Sequence, residues 1–174
     1  MNRNVCTALL AAGLALTTGT ASAASLGFGQ TEANGCVVYI GEGAGQIVSD
    51  WGEEPLTTVG TVDLTSRDGE QQKTYSYETI FFPGVDAGEG GVRAHSGFEN
   101  WRFVEGGARG TLRIRVELTP DDPTFPTSLA LVGDGEMIGG NGYKTGGMHF
   151  VGTMDYWTGA YVIDLFELVL CRNQ

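Results

Sequence analysis

The residues best placed for chemistry are two acids near the end of the chain. Residues 161–171 read YVIDLFELVLC, and Asp164 and Glu167 interrupt an otherwise apolar run. Successive side chains of a strand point to opposite faces, so their odd spacing predicts that one acid faces inward and the other outward. A buried carboxyl is costly unless it is hydrogen-bonded. The inward acid is expected to be either a satisfied structural carboxyl or a group that orients a ligand.

The other reactive side chains do not form a recognisable catalytic or metal site. His95 and His149 are the only histidines, whereas a zinc site takes three or four ligands. Ser96 follows His95, but the Gly-x-Ser-x-Gly motif of a nucleophilic serine is absent. We therefore predict no catalytic residue, no metal and no cofactor.

Aromatic residues at strand spacing form either a packed core or the wall of an apolar ligand cavity. Residues 73–82 show the pattern clearly, because aromatic and polar side chains alternate there. Together with the two acids, the predicted cavity residues are Tyr75, Tyr77, Phe81, Trp101, Phe103, Phe150, Asp164 and Glu167.

Short strands separated by glycine turns must position these side chains. The sequence contains 28 glycines, and the stretch 131–159 predicts a strand at about 128–138, a Gly-Asn-Gly turn and a strand at about 146–155. Residues 111–118 alternate cleanly, with Leu112, Ile114, Val116 and Leu118 on the inner face. We predict an all-β fold, a single antiparallel barrel of about eight strands with glycine-rich hairpins.

Three parts are predicted along the chain. Residues 1–23 have an apolar core followed by Ala21-Ser22-Ala23, as in a cleaved signal peptide. Residues 24–35 form a flexible N-terminal lead, and residues 36–174 form the β-barrel domain. The barrel is expected to begin with a strand at 36–40 and a turn at Gly41–Gly45.

The cysteines and the charge indicate an exported protein, secreted or periplasmic. Cys6 lies in the predicted signal peptide, which leaves Cys36 and Cys171 for one disulfide between the first and last strands. The net charge of −11 argues against nucleic acid as a partner. No later apolar run is long enough to predict a membrane span.

The last strand also predicts self-association. Segment 161–171 is apolar on both faces apart from its two acids. An apolar outer face needs cover, and a subunit interface would supply it. We therefore expect a homo-oligomer, a dimer or a trimer.

The glycine-rich hairpin resembles that of the allene oxide cyclase-like and dirigent-like β-barrels of the calycin type. The resemblance lies in MIGGNGYKTGGMHFVG and is carried by Gly139, Gly140, Gly142, Tyr143, Gly147, Phe150 and Gly152. It implies an eight-stranded barrel with an apolar cavity, often assembled as a trimer. The catalytic residues of the cyclases have no counterparts that can be assigned here.

Two classes of function follow. The first is a non-catalytic exported barrel that binds a small hydrophobic ligand or acts structurally. The alternative is a cofactor-independent isomerase or cyclase acting on a hydrophobic substrate inside the barrel.

Overall fold

Nine strands account for most of the structure, a computed structural model that describes residues 35–49 and 55–172. The predicted signal peptide and nearly all of the predicted lead lie outside the described residues. The strands are β1 (Cys36–Ile47), β2 (Leu56–Ser66), β3 (Gln72–Phe81), β4 (Val85–Asp86), β5 (Arg93–Phe103), β6 (Arg109–Pro120), β7 (Ser128–Asn141), β8 (Thr145–Asp155) and β9 (Ala160–Cys171).

Eight of these strands close into an antiparallel barrel. Each long strand pairs with the next one along the chain, β9 pairs back with β1, and β3 pairs with β5. The two-residue strand β4 lies in the connection between β3 and β5 and pairs only with the start of β5. Closure leaves every long strand with two neighbours, which removes the exposed sheet edges that promote aggregation. The predicted fold class is confirmed.

A disulfide bond joins Cys36 to Cys171, the predicted pair. The two residues lie directly opposite each other where β1 pairs with β9. The covalent bond therefore crosses the seam at which the first and last strands close the barrel.

The alternation of side chains sets what lies inside. On β6, Leu112, Ile114 and Val116 are buried, as predicted. On β3, Tyr75 and Tyr77 are buried, whereas Ser76 between them is half-buried and Glu78 is exposed. The strand pattern of the sequence thus translates directly into the barrel interior.

The predicted turn at Gly41–Gly45 is wrong, because β1 continues as a strand to Ile47. Glycine is required there for space and not for a turn. A Cβ on Gly43 would lie 2.2 Å from the backbone oxygen of Thr61 on β2, so the neighbouring strand approaches too closely for any side chain.

The barrel is packed at the end that carries the disulfide. Tyr75 stacks on Trp101 with ring centroids 5.7 Å apart, and Tyr39 packs against Phe103 at 5.5 Å. Phe166 lies 5.2 Å from the Tyr75 ring and completes this layer. Aromatic rings at such distances fill space densely, so this layer forms a solid plug across the barrel.

A β-bulge in β9 shifts its side-chain alternation. Ile163 pairs with Gly43 and Phe166 with Gly41, so β9 carries an extra residue at this point. Both Ile163 and Phe166 are buried, although they are three residues apart. The inserted residue leaves Asp164 exposed on the outside, between buried Ile163 and half-buried Leu165. Within residues 35–49 and 55–172, no helix is long and apolar enough to cross a membrane.

Candidate functional site: a polarised cavity in the barrel

A cavity of about 520 Å³ occupies the end of the barrel opposite the disulfide. It lies where β3 and β6 end and where β5, β7 and β9 begin. Gly91, Arg93 and Pro123 are exposed and form part of its rim. The cavity therefore runs from the protein surface down to the aromatic plug.

The two sides of the cavity differ in polarity. Strands β6 to β8 contribute only apolar side chains, among them Ile114, Leu131 and Phe150. The opposite side, built by β2, β3, β5 and the start of β9, carries the polar groups. These polar groups are Thr58, Tyr77, Thr79, His95, Glu99 and Tyr161, with Arg93 at the rim.

Glu99 is the acid of the cavity. Its side chain projects inward from β5 and the residue is 3% exposed. Thr79 donates a hydrogen bond of 2.9 Å to one carboxyl oxygen, and the Tyr75 hydroxyl donates to the other. No ion pair with Glu99 is formed within the described ranges. The carboxyl is thus held by two neutral hydroxyl groups.

Burial raises the pKa of Glu99 from its ordinary value of 4.5 to about 7, because removal from water disfavours the charged form. The hydrogen bonds from Tyr75 and Thr79 act in the opposite direction and lower this pKa, but they do not outweigh the burial. A carboxyl with this pKa exists in both protonation states near neutral pH.

Two tyrosines form a second polar pair beside Glu99. The Tyr77 hydroxyl donates to the Tyr161 hydroxyl at 2.9 Å. Burial, followed by the nearby Tyr161 hydroxyl, raises the pKa of Tyr77 far above its ordinary value. Burial also raises the pKa of Tyr161. Both hydroxyls therefore remain neutral donors and acceptors at physiological pH.

The positions of these tyrosines depend on two glycines. A Cβ on Gly60 would lie 2.3 Å from the Tyr77 hydroxyl oxygen, and a Cβ on Gly45 would lie 2.3 Å from that of Tyr161. Each ring therefore lies across a glycine in a neighbouring strand. The run Gly41–Gly45, predicted as a turn, instead makes room for a cavity side chain.

His95 lies nearer the rim on the same strand as Glu99. Its Nδ1 is 3.2 Å from the backbone oxygen of Phe82, and its ring meets Phe81 edge-on. Glu99 lies four positions further along β5, a distance of about 13 Å along a strand. The imidazole and the carboxyl consequently occupy different depths of the cavity.

A well-ordered loop covers part of the rim. Asp121 accepts hydrogen bonds from the backbone amides of Asp122, Thr127 and Ser128, and from the Thr127 hydroxyl. These bonds, the Thr127 hydroxyl first, hold the pKa of Asp121 well below its usual range. The loop presents Pro123 and Pro126 to the cavity, next to Pro120 at the end of β6.

The predicted site residues fall into three groups. Tyr77, Phe81 and Phe150 line the cavity. Tyr75, Trp101 and Phe103 lie in the aromatic plug, where Tyr75 reaches the cavity only through its hydrogen bond to Glu99.

Asp164 and Glu167 form the third group, and the structure corrects the expectation that one of them faces inward. Asp164 is exposed, and Glu167 is half-buried on the outside with a carboxyl oxygen 3.8 Å from Arg67. Regular alternation would put the two acids on opposite faces. The β9 bulge adds a residue beside Asp164 and brings both acids to the outer face.

The sequence interpretation missed Glu99. The signal was present, since Trp101 and Phe103 define the inner face of β5 and Glu99 lies at the same two-residue spacing. Its position in Phe98-Glu99-Asn100 suggests a solvent-facing polar segment instead.

His149, by contrast, lies outside the cavity, and its Nδ1 is 2.8 Å from Asp134 Oδ1.

No group of three or more His, Cys, Asp or Glu side chains within residues 35–49 and 55–172 is arranged to hold a metal ion. The described cavity offers one carboxyl, several hydroxyls, an imidazole and, at the rim, the guanidinium of Arg93. Such groups bind a ligand by hydrogen bonds and charge, or move protons.

The fold and the cavity define a class of protein: a closed, up-and-down, eight-stranded antiparallel β-barrel with an internal pocket. Comparison with known proteins adds no closer assignment, because no protein-family model, curated protein or solved structure matches this chain.

Proposed function

We propose that this protein binds a small, mainly apolar molecule inside the barrel. The observation that carries the proposal is the cavity of about 520 Å³ with one apolar and one polar wall. Small-molecule sites in proteins are concave, mostly apolar and furnished with a few polar groups that fix orientation, with volumes of about 300–1,000 Å³. The cavity has each of these properties.

The buried acid supports binding over a purely structural role. A barrel interior is most easily stabilised by apolar side chains that fill it. Glu99 instead holds a carboxyl in the interior with only neutral partners, which costs stability. A polar group retained at such a cost beside a cavity is typical of a functional site.

The binding function is tested by calorimetric titration with naphthylmethanol, a neutral and largely apolar probe, at several temperatures. We expect binding with a negative change in heat capacity, because apolar surface of the probe and of the cavity is buried together. Leu131→Trp places a large ring in the cavity and is expected to abolish binding. Val132→Trp is the matched control, because Val132 is the next residue on β7 and is exposed on the outer face.

If the probe does not bind to the wild-type protein, or if Leu131→Trp and Val132→Trp bind it equally, the cavity is not a binding site.

We also propose that the protein is exported before it folds. The Ala21-Ser22-Ala23 cleavage motif is consistent with a signal peptide, and a structural disulfide is typical of proteins outside the reducing cytosol. Mass spectrometry of the natural protein is expected to find a chain that begins at Ala24. A titration of the denatured, unreduced protein is expected to find no free thiol. A natural protein that still contains residues 1–23, or that has two free thiols, would contradict export.

Catalysis is the second candidate, as a cofactor-independent isomerase or cyclase of the kind that the glycine-rich hairpin resembles. The observation in its favour is the pair formed by Glu99 and the Tyr75 hydroxyl, because a carboxyl with a pKa of about 7 is suited to general acid–base catalysis. Turnover of a bound compound that is lost in Glu99→Gln, while binding is retained, would support it. Binding without turnover in the wild-type protein would leave the binding function alone.

A further inference from the structure

Glu99 has hydrogen-bonding capacity that the protein does not use. An ionised carboxylate accepts about four hydrogen bonds, and the structure supplies one from Tyr75 and one from Thr79. Both donors are neutral, so the negative charge itself has no counter-charge among the described ion pairs. Glu99 lines the cavity, so a bound molecule can supply what is missing.

Few other charged or titratable groups face Glu99. From β3 these are Tyr75 and Tyr77, and from β9 Tyr161, all with raised pKa values caused first by burial. From its own strand they are His95, two inward positions away, and Arg93 at the rim. The described cavity residues of β1, β2, β6, β7 and β8 are apolar or neutral.

Arg93 does not serve as the counter-charge. Its side chain is exposed, and a guanidinium nitrogen donates a hydrogen bond of 2.6 Å to the backbone oxygen of Gly84. Glu99 lies six positions further along β5, a distance of about 20 Å along a strand. Arg93 is therefore held at the rim, too far from Glu99 to pair with it.

We propose that the ligand is a small amphipathic amine, whose cationic nitrogen binds the carboxylate of Glu99 while its apolar body lies against the wall formed by β6 to β8. This inference rests on the binding function proposed above. A cationic nitrogen donates hydrogen bonds to the unused acceptor positions of the carboxylate and also balances its charge. Hydrogen bonds between charged groups are about twice as strong as those between neutral groups. The protein's net charge of −11 further favours entry of cations.

The same geometry disfavours other head groups. A ligand carboxylate would bring a second negative charge toward a buried one. A neutral apolar molecule would remove the remaining water from Glu99 and force it to take up a proton, since burial disfavours the charged form. The direction of proton movement on binding therefore distinguishes an amine from a neutral ligand.

The test compares naphthylmethylamine, naphthylmethanol and naphthoic acid, which share a ring system and differ in the head group. At pH 8 we expect the amine to bind about tenfold more tightly than the alcohol, the ratio that one charge-assisted hydrogen bond provides. The preference is expected to fall toward pH 5, because Glu99, with a pKa of about 7, becomes protonated while the amine stays cationic. Glu99→Gln is expected to remove the preference and to retain binding of the alcohol.

A measurement on the wild-type protein covers the case in which the Gln variant fails to fold. Calorimetry at pH 7 in buffers of different ionisation enthalpy is expected to show release of about half a proton when the amine binds, and uptake when the alcohol binds. The same release in His95→Asn would assign the proton to Glu99.

Four outcomes would overturn the inference. The inference is wrong if the amine and the alcohol bind equally, or if naphthoic acid binds as tightly as the amine. Either result would leave the binding function intact. Amine binding with no proton release would exclude Glu99 as its partner. Failure of all three probes to bind would remove the binding function as well.

Discussion

Thr79 and Glu99 lie directly opposite each other across β3 and β5, and the Thr79 hydroxyl donates a hydrogen bond of 2.9 Å to Glu99 Oε2. Within the described residues, β3 and β5 are the only paired long strands whose connection contains another strand, the two-residue β4. The pairing of β3 with β5 therefore both continues the barrel and builds part of the polar wall of the cavity. Its charged member determines how the protein should respond to pH.

The first prediction concerns stability and pH. Burial raises the folded-state pKa of Glu99 from 4.5 to about 7, so between these values the folded barrel holds a proton that the unfolded chain has released. Stability contributed by this group is fully present below the unfolded pKa and is lost as the pH rises through the folded pKa. Relative to Glu99→Gln, the wild-type protein is expected to lose about 3 kcal/mol of unfolding free energy between pH 4 and pH 8.

Urea unfolding of both proteins at the two pH values measures this difference. Glu78→Gln is the control, because Glu78 is exposed on β3 next to Thr79. A gap between wild type and Glu99→Gln that does not change with pH would show that the carboxyl is not buried as described.

The second prediction concerns packing at the two ends. Leu112 is fully buried in the core beneath the cavity, whereas Leu131 is buried but lines the cavity. Leu112→Ala is expected to cost about 2–5 kcal/mol, because it opens a void in a packed region. Leu131→Ala is expected to cost less, since one side of that side chain already faces open space. Chemical denaturation measures both costs, and equal costs would indicate a barrel filled along its whole length.

The third prediction concerns the glycines under the tyrosines. Gly60→Ala places a methyl group 2.3 Å from the resting position of the Tyr77 hydroxyl, so the ring must move and the bond to Tyr161 must break. We expect weaker binding of naphthylmethanol and lower stability. Gly139→Ala is the matched control, because a Cβ on this strand glycine would meet nothing within 4 Å. Equal behaviour of the two variants would contradict the described placement of Tyr77.

How much the sequence predicts differs between the fold and the site. The barrel follows from local patterns, such as the alternation around Leu112, and from cysteines placed in the first and last strands. The two-residue period of a strand and the positions of two cysteines can be read from the sequence without knowing which strands are neighbours. These features led to the correct fold class.

The site depends on relationships that no local pattern contains. The bulge that turns Asp164 outward is a mismatch between paired strands, and the space that Gly45 provides is needed by Tyr161, more than 100 residues away in the chain. Glu99 is identified as interior only when the face of Trp101 is extended back along β5. Whether the barrel contains a cavity depends on how completely the side chains of all eight strands fill its interior.

The fourth prediction is self-association, expected from the apolar last strand. The outer face of β9 proves less apolar than its sequence indicates, because Asp164 and Glu167 both lie on it. A different surface is available where exposed Phe82 and Phe98 pack at 5.9 Å on the outside of the barrel. Sedimentation velocity at micromolar concentration is expected to show a dimer or trimer, and Phe98→Asp is expected to dissociate it. A monomer at all concentrations would contradict this prediction.

The most direct test of the binding cavity is to locate a bound probe by nuclear Overhauser effects. With naphthylmethanol at saturation, we predict contacts between the ring protons of the probe and the side chains of Leu131, Phe150 and Met154, which line the apolar wall. Contacts with the exposed rings of Phe82 and Phe98, and none with the three cavity residues, would contradict the account of this protein as a barrel that binds its ligand inside.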